Sequence, residues 1–136
     1  MNASAYRACI AAAVAIAVSW PEVAMAAQAM RYPAKPIRLV NPFTPGGSVD
    51  IVARAMAQKL NEAWGQPVIV DNRPGGGTTI GTAMVVRAAP DGYTLLATTG
   101  TIAVNVSLYR NLSFDAVKDL APIALVVQTP NVLGVH

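Results

Sequence analysis

The sequence predicts an α/β fold built on a mostly parallel sheet flanked by helices. Two observations carry that prediction. From Ile37 onward, short apolar runs alternate with segments of helical periodicity, and the loops after three of the runs are rich in glycine or threonine. Strands separated by helices run parallel, because each helix returns the chain to the edge it started from. The loops at 41–50, 72–79 and 98–101 then share one edge, outside the carboxyl ends of the strands, where such sheets bind ligands.

The elements follow in order. Ile37-Arg38-Leu39-Val40, after the stiff stretch from Tyr32 to Pro36, is the first strand. From Ser48 to Trp64, the residues Val52, Met56, Leu60 and Ala63 recur at helical spacing, with Ser48 as N-cap and Gly65 as the closing glycine. Pro67 to Asp71 is the second strand. After the Asn72 to Gly77 loop, Thr78 or Thr79 caps a second helix reaching about Ala89. Pro90-Asp91-Gly92 is a turn, and Tyr93 to Thr98 the third strand. A short helix starts near Thr101 and ends before Leu112, and Asp115 to Leu120 makes one or two helical turns. Ile123 to Val127 is expected as a fourth strand, which Val132 to Val135 continues or follows.

The length of 136 residues suits one domain at most. The apolar fraction of 54% is concentrated in alanine and in the first thirty residues. There Arg7 precedes an uncharged apolar run from Ala8 to Val18, then a break at Trp20-Pro21 and small residues in A-x-A spacing around Ala26 and Ala29. This is the layout of a secretory signal peptide over residues 1–29, cleaved after Ala26 or Ala29. The apolar run falls well short of the roughly 20 residues that span a bilayer. Export would place the mature chain outside the cytoplasm with no membrane span. Cys9 would leave with the signal, which excludes disulfides, thiolate catalysis and cysteine-based metal sites. Losing Arg7 and Glu22 leaves the net charge at +3. The charges are scattered singly, without the clusters of a nucleic-acid footprint, on a surface that tolerates small anions.

The loop chemistry is that of binding. Gly46, Gly47 and Ser48 would present backbone N–H groups at a helix start, suited to a carboxylate or phosphate. Asp50 in the same first turn reads first as a stabiliser of that terminus, and second as a ligand contact. Neither glycine loop ends in the G-K-[ST] of a phosphate-binding loop. The glycines at 75, 77 and 81 miss the dinucleotide register by one, so no nucleotide cofactor is expected. The only histidine is His136, the last residue, so no internal base serves a hydroxyl nucleophile. The aspartates are dispersed, and no enzymatic role, metal or cofactor is read from them.

The phrases YPAKPIRLVNPFTPGGSVDIVARAMAQKL, GQPVIVDNRPGGGTTIG, AAPDGYTLLATTGT, NVSLYRNLSFDAVKDLAPIALV and TPNVLGVH follow one another through the chain. Together they resemble the tripartite tricarboxylate transporter receptors, also called Bug proteins, over essentially the whole mature sequence. The resemblance implies a periplasmic binding protein of two α/β lobes, type II-like, that closes on carboxylated metabolites and in some members serves an inner-membrane permease. Carried over by position, the family's first ligand loop matches Phe43, Thr44, Pro45, Gly46, Gly47, Ser48, Val49 and Asp50, and a second cleft loop resembles Thr98, Thr99, Gly100 and Thr101. The sequence departs from the family at Asn41, where an apolar residue usually continues the strand.

Against that family, residues 30–136 are expected to form the N-terminal lobe, ending near the interlobe crossover with the second lobe missing. The function expected is binding of small di- or tricarboxylates for uptake or sensing. The alternatives are a truncated fragment that does not bind, with an unpaired sheet edge and uncovered apolar surface, and, third, an exported α/β enzyme.

Overall fold

The computed structural model describes residues 32–130. The chain divides into two compact units, residues 1–34 and 35–136. Of the first, the described residues run from Tyr32 to Ala34 and include a cis Tyr32–Pro33 bond. The expected signal segment with Cys9, the apolar run Val132 to Val135 and His136 lie outside the described residues.

The second unit holds a parallel sheet of three strands: β1 (Ile37–Asn41), β2 (Val68–Asn72) and β3 (Thr94–Leu96), in the order β2-β1-β3. The α/β expectation holds. Helix α1 (Ser48–Trp64) joins β1 to β2, α2 (Thr79–Val86) joins β2 to β3, and α3 (Thr101–Leu108) follows β3. β1 is central, paired with a strand on each side, and is accordingly the most deeply buried of the three. Ile37, Leu39, Val40 and Asn41 are all buried.

The two connecting helices lie on opposite faces, as the side chains of β1 show. Successive strand residues point to opposite faces. Arg38 contacts Met84 of α2, whereas Asn41 reaches Asp50 of α1. An even and an odd position thus meet different helices. The result follows from the strand order, since a chain that steps from β1 out to β2 and then back past β1 to β3 must change faces to keep both crossovers right-handed.

Helix α1 meets the sheet through Asp50, Ala53 and Ala57, which are buried. This shifts the inner stripe from the one expected. Val52, Met56 and Leu60 flank it at intermediate depth, and Ala63 is exposed. Two alanines on the inner line let the helix lie close to β1 and β2, and the larger residues pack beside that contact. The helix closes at Gly65, which is left-handed (φ 66°) and donates to the Asn61 carbonyl at 2.9 Å.

Other boundaries also move. Ser48 is the first helical residue, not the cap; Gly47 occupies the cap position in an extended conformation and no side chain caps the helix. The turn closed by Gly47 N–H on the Thr44 carbonyl (3.4 Å) brings the chain into the helix one residue earlier. Thr78 occupies the cap position of α2, as expected, but its hydroxyl makes no cap bond and instead accepts from Asn105 Nδ2 (3.0 Å), while Thr79 Oγ1 donates to the Gly76 carbonyl (2.7 Å). α2 stops at Val86, short of the expected Ala89, with Pro90 disfavouring helix in the residue before it. Asp115 to Asp119 forms one turn, closed by Asp119 N–H on the Asp115 carbonyl (2.8 Å).

The expected fourth strand does not form. Residues 121–130 carry no regular structure and are exposed, with Ile123 and Leu125 at 80% and 79%. β-propensity alone does not make a strand, which needs a hydrogen-bonded neighbour in register. No described helix is long and apolar enough to cross a membrane, and no cluster of metal-ligating side chains is present among the described residues.

Candidate functional site

In a sheet of order β2-β1-β3, the direction of connection reverses between β1 and β3. The crevice at their carboxyl ends is the switch point where open α/β sheets receive ligands. Two of the three predicted loops leave the sheet there. Ala97 N–H donates to the Val40 carbonyl (2.9 Å), holding the ends of β3 and β1 side by side. From them the chain runs into the starts of α1 and α3.

The loop after β1 is built around a buried carboxylate. Asp50 is 3% exposed. Its Oδ2 accepts from Gly46 N–H and from Arg54 Nε, both at 2.9 Å, and its Oδ1 accepts from Asn72 Nδ2 at 2.8 Å. Asn41 Nδ2 approaches the same Oδ1 at 3.5 Å. Arg54 Nη2 in turn donates to Asn72 Oδ1 (3.1 Å), and Asn72 Nδ2 reaches the Phe43 carbonyl (3.3 Å). The Arg54 guanidinium, then the Gly46 amide and Asn72, outweigh burial and hold the Asp50 carboxyl far below the usual carboxylate range. Asp50 therefore stays ionised and points inward.

That geometry changes which donors the loop offers. The Gly46 amide is taken by Asp50 and the Gly47 amide by Thr44. The first bond of α1 runs from Ile51 N–H to the Gly47 carbonyl (3.0 Å), so the amides left without a helix carbonyl are those of Ser48, Val49 and Asp50, and Ser48 and Val49 lead the first turn. The loop can fold back this tightly because Gly46 is left-handed (φ +81°) and a Cβ there would meet nothing within 4 Å. Thr44, Pro45, Gly46 and Ser48 are exposed and Phe43 is half-buried. Asn41, the departure noted in the sequence, accepts from Phe43 N–H through Oδ1 (3.2 Å), so the polar residue turns the strand end into the loop.

The loop after β3 presents hydroxyls. Thr99 Oγ1 and Thr101 Oγ1 lie 2.9 Å apart, and Thr101 N–H donates to Thr99 Oγ1 (3.3 Å). Thr99 and Gly100 are exposed, and Gly100 caps α3. Beside them, the Thr98 hydroxyl is buried without a partner among the described residues. A buried hydroxyl in that condition is uncommon and marks a place where a further polar group fits.

The third loop supports the other two. A Cβ on Gly81 would lie 2.8 Å from both the Arg73 carbonyl oxygen and Pro42 Cβ, so only glycine lets α2 pack this close to the first loop. Asn105 of α3 donates to the Gly77 carbonyl (2.7 Å) and to Thr78 Oγ1 (3.0 Å), tying α3 to a glycine turn in which Thr78 itself is left-handed. Residue types gave no warning of Arg54, Asn72 or Asn105 as site-building groups. The hint available was Asn72 alone, a polar residue at the end of β2; Arg54 and Asn105 lie inside α1 and α3, where the sequence pattern marks no site.

Two concave regions lie away from the loops after β1 and β3. One of ≈ 550 Å³ runs between α2 and residues 109–113, and one of ≈ 330 Å³ covers β1 and β2 beside Arg38, Asp71 and Arg73. Each takes one residue of the 72–79 loop, Thr79 in the first and Arg73 in the second, and neither is lined by residues of the 41–50 or 98–101 loops.

An open parallel sheet with two helix starts at its switch point has the architecture of an α/β binding lobe. The chain belongs to the tripartite tricarboxylate transporter family of receptors, whose pattern it matches over residues 52–136, more than half its length. Protein BugT of Bordetella pertussis is 40% identical over 124 residues, covering 90% of this chain and 38% of that protein. MatC of Rhodopseudomonas palustris with bound malate superposes at a TM-score of 0.66 and 36% identity, over 70% of this chain and 33% of that one. The R. palustris protein Rpa4515 with adipate gives 0.57 and 33%, over 63% and 29%. These likenesses agree with the expected type II-like lobe of a periplasmic binding protein. The chain spans 38% of the length of BugT and about a third of these two solved chains.

Proposed function

We propose that the chain is the N-terminal lobe, residues 30–136, of a periplasmic solute receptor that captures small carboxylates. The observation that carries this reading is the convergence of two helix starts, at Ser48 and Thr101, on the β1–β3 switch point. Phe43, Thr44, Pro45, Gly46, Gly47, Ser48 and Asp50 build one side of the site, and Thr99, Gly100 and Thr101 the other. A ligand carboxylate takes the Ser48 and Val49 amides, the Ser48 hydroxyl and the threonine hydroxyls, with water bridging the longer gaps. Asp50 braces the loop and does not meet the acid, since two carboxylates side by side would repel. The relatives solved with malate and adipate support the class of ligand. In this reading residues 1–29 direct export and are removed, the partner is an inner-membrane permease, and the protein binds without catalysing.

Titration calorimetry of the exported chain with malate, adipate, succinate and citrate tests it. Micromolar affinity for at least one acid, lost in Ser48→Pro, is the expected result; no heat with any of the four overturns it.

A second reading has an observation of its own. Six of the proposed contact residues, Thr44, Pro45, Gly46, Ser48, Thr99 and Gly100, are exposed to water. A site this open loses the desolvation that strengthens a charged hydrogen bond, so the lobe by itself binds weakly or not at all. The same titration decides between the two readings.

A further inference from the structure

We propose that Arg54 and Asn72 are positioning residues of the anion loop: they hold the Asp50 carboxylate turned into the loop, where it fixes the Gly46 amide, and offset its charge beside the bound acid. The inference rests on the carboxylate reading above and adds residues that do not themselves touch the ligand.

The argument is one of connectivity. Asp50 sits in the first turn of α1, and a carboxylate there would normally turn outward to solvent or toward the free amides. Here it is buried and turned back, and each of its oxygens is engaged. Arg54, one helical turn on, grips Oδ2, and Asn72, at the end of β2, grips Oδ1. Arg54 and Asn72 are also bonded to each other at 3.1 Å. The ring therefore spans helix, loop and strand, and Asn72 extends it to the Phe43 carbonyl on the far side of the loop. Among the described residues, Arg54 is the one charged group in contact with Asp50. From β1 and β2 the neighbours are Asn41 and Asn72, both neutral, while Arg38 and Asp71 of those strands occupy the opposite face of the sheet.

Two consequences follow for an incoming carboxylate. With Gly46 pinned by Asp50, the Ser48 and Val49 amides keep a fixed direction. With Arg54 paired to Asp50, the loop presents no net negative charge at the helix start. Remove Arg54 and both effects are lost: the carboxylate is unpaired next to the acid it must tolerate, and the Gly46 bond has nothing to hold its acceptor in place.

The test reads the loop with and without ligand. In the 136-residue chain without ligand, amide exchange by NMR at Gly46 is compared with Leu39 and Val40 in Arg54→Gln, Asn72→Ala and Arg54→Lys. The expected result is exchange at Gly46 at least about tenfold faster in the first two variants with Leu39 and Val40 unchanged, and partial recovery in Arg54→Lys, which keeps the charge but loses the fork to Asn72. Titration of the same variants with malate and adipate is expected to show about a tenfold loss of affinity, again partly recovered by Arg54→Lys. Unchanged Gly46 exchange overturns the proposal, and so does faster exchange at all three amides together, which would mean general destabilisation. Faster Gly46 exchange with unchanged affinity overturns the link to binding. If the parent chain binds none of malate, adipate, succinate and citrate, the carboxylate reading fails, and the Gly46 measurement still decides whether the brace exists.

Discussion

Asn41 is the residue at which a polar side chain was least expected, at the end of an apolar strand. Its burial is explained by the loop that follows: one end of its amide accepts from Phe43 N–H and the other faces Asp50. Asn41→Leu should therefore destabilise the chain even though leucine is the better strand residue. It leaves the Phe43 amide without its acceptor, at a cost of about 1–3 kcal/mol, measurable by urea denaturation. Gly46→Ala isolates the backbone term, because the new Cβ meets nothing. Its left-handed conformation alone should cost on the order of 1–2 kcal/mol and loosen the Gly46–Asp50 bond, seen as faster exchange at that amide. The glycines and hydroxyls of the loop were legible in the sequence because they follow a strand and precede a helix. The brace was not, because Asn72 joins Asp50 only through the parallel register that sets Asn41 beside Asn72, and no local pattern reports a register.

Elements were legible where chain chemistry is local. The closing glycine of α1 and the alternation of strand and helix hold as read. The inner face of α1 was displaced, since periodicity weighs residues by hydropathy, whereas close approach to a sheet favours the small ones, Ala53 and Ala57. The run from Ile123 to Val127 failed for the converse reason, having the composition of a strand but no neighbour among the described residues. At this scale Gly81→Val is the informative substitution. Its side chain would collide with the Arg73 carbonyl and Pro42, atoms of backbone and ring that have little room to yield. A loss of about 1–3 kcal/mol is expected, with a lower melting temperature by circular dichroism. Gly65→Ala, left-handed at an open position, meets no such collision and should cost only the backbone term, about 1–2 kcal/mol.

For the whole molecule, the aspartates set the response to acid. Arg54 first, then backbone and Asn72 donors, lower Asp50; the Tyr93 amide and Lys35 lower Asp91; the Val117 amide and Lys118 lower Asp115. For Asp71, burial pushes up and the Arg38 and Arg73 guanidiniums outweigh it, so that carboxyl too lies below its ordinary value. Each folded-state pKa is below its unfolded one. The stabilisation is thus complete above the unfolded value of about 3.9 and is lost as pH falls through the depressed values. The urea midpoint should be flat from pH 7 to 5 and drop below about pH 4, with a shallower acid limb in Asp50→Asn. The small apolar core, with Ile123, Leu125 and Val127 exposed, should also bind a hydrophobic dye under native conditions. One further consequence comes from the opposite faces of β1. The sheet is a partition with a separate charge system on each side, Asp50 with Arg54 on one and Asp71 with Arg38 and Arg73 on the other. Among the described residues the two share no partner, so Arg54→Gln and Arg38→Gln should combine additively in stability, and the Arg38 side can be altered to tune robustness while the loop after β1 keeps its shape.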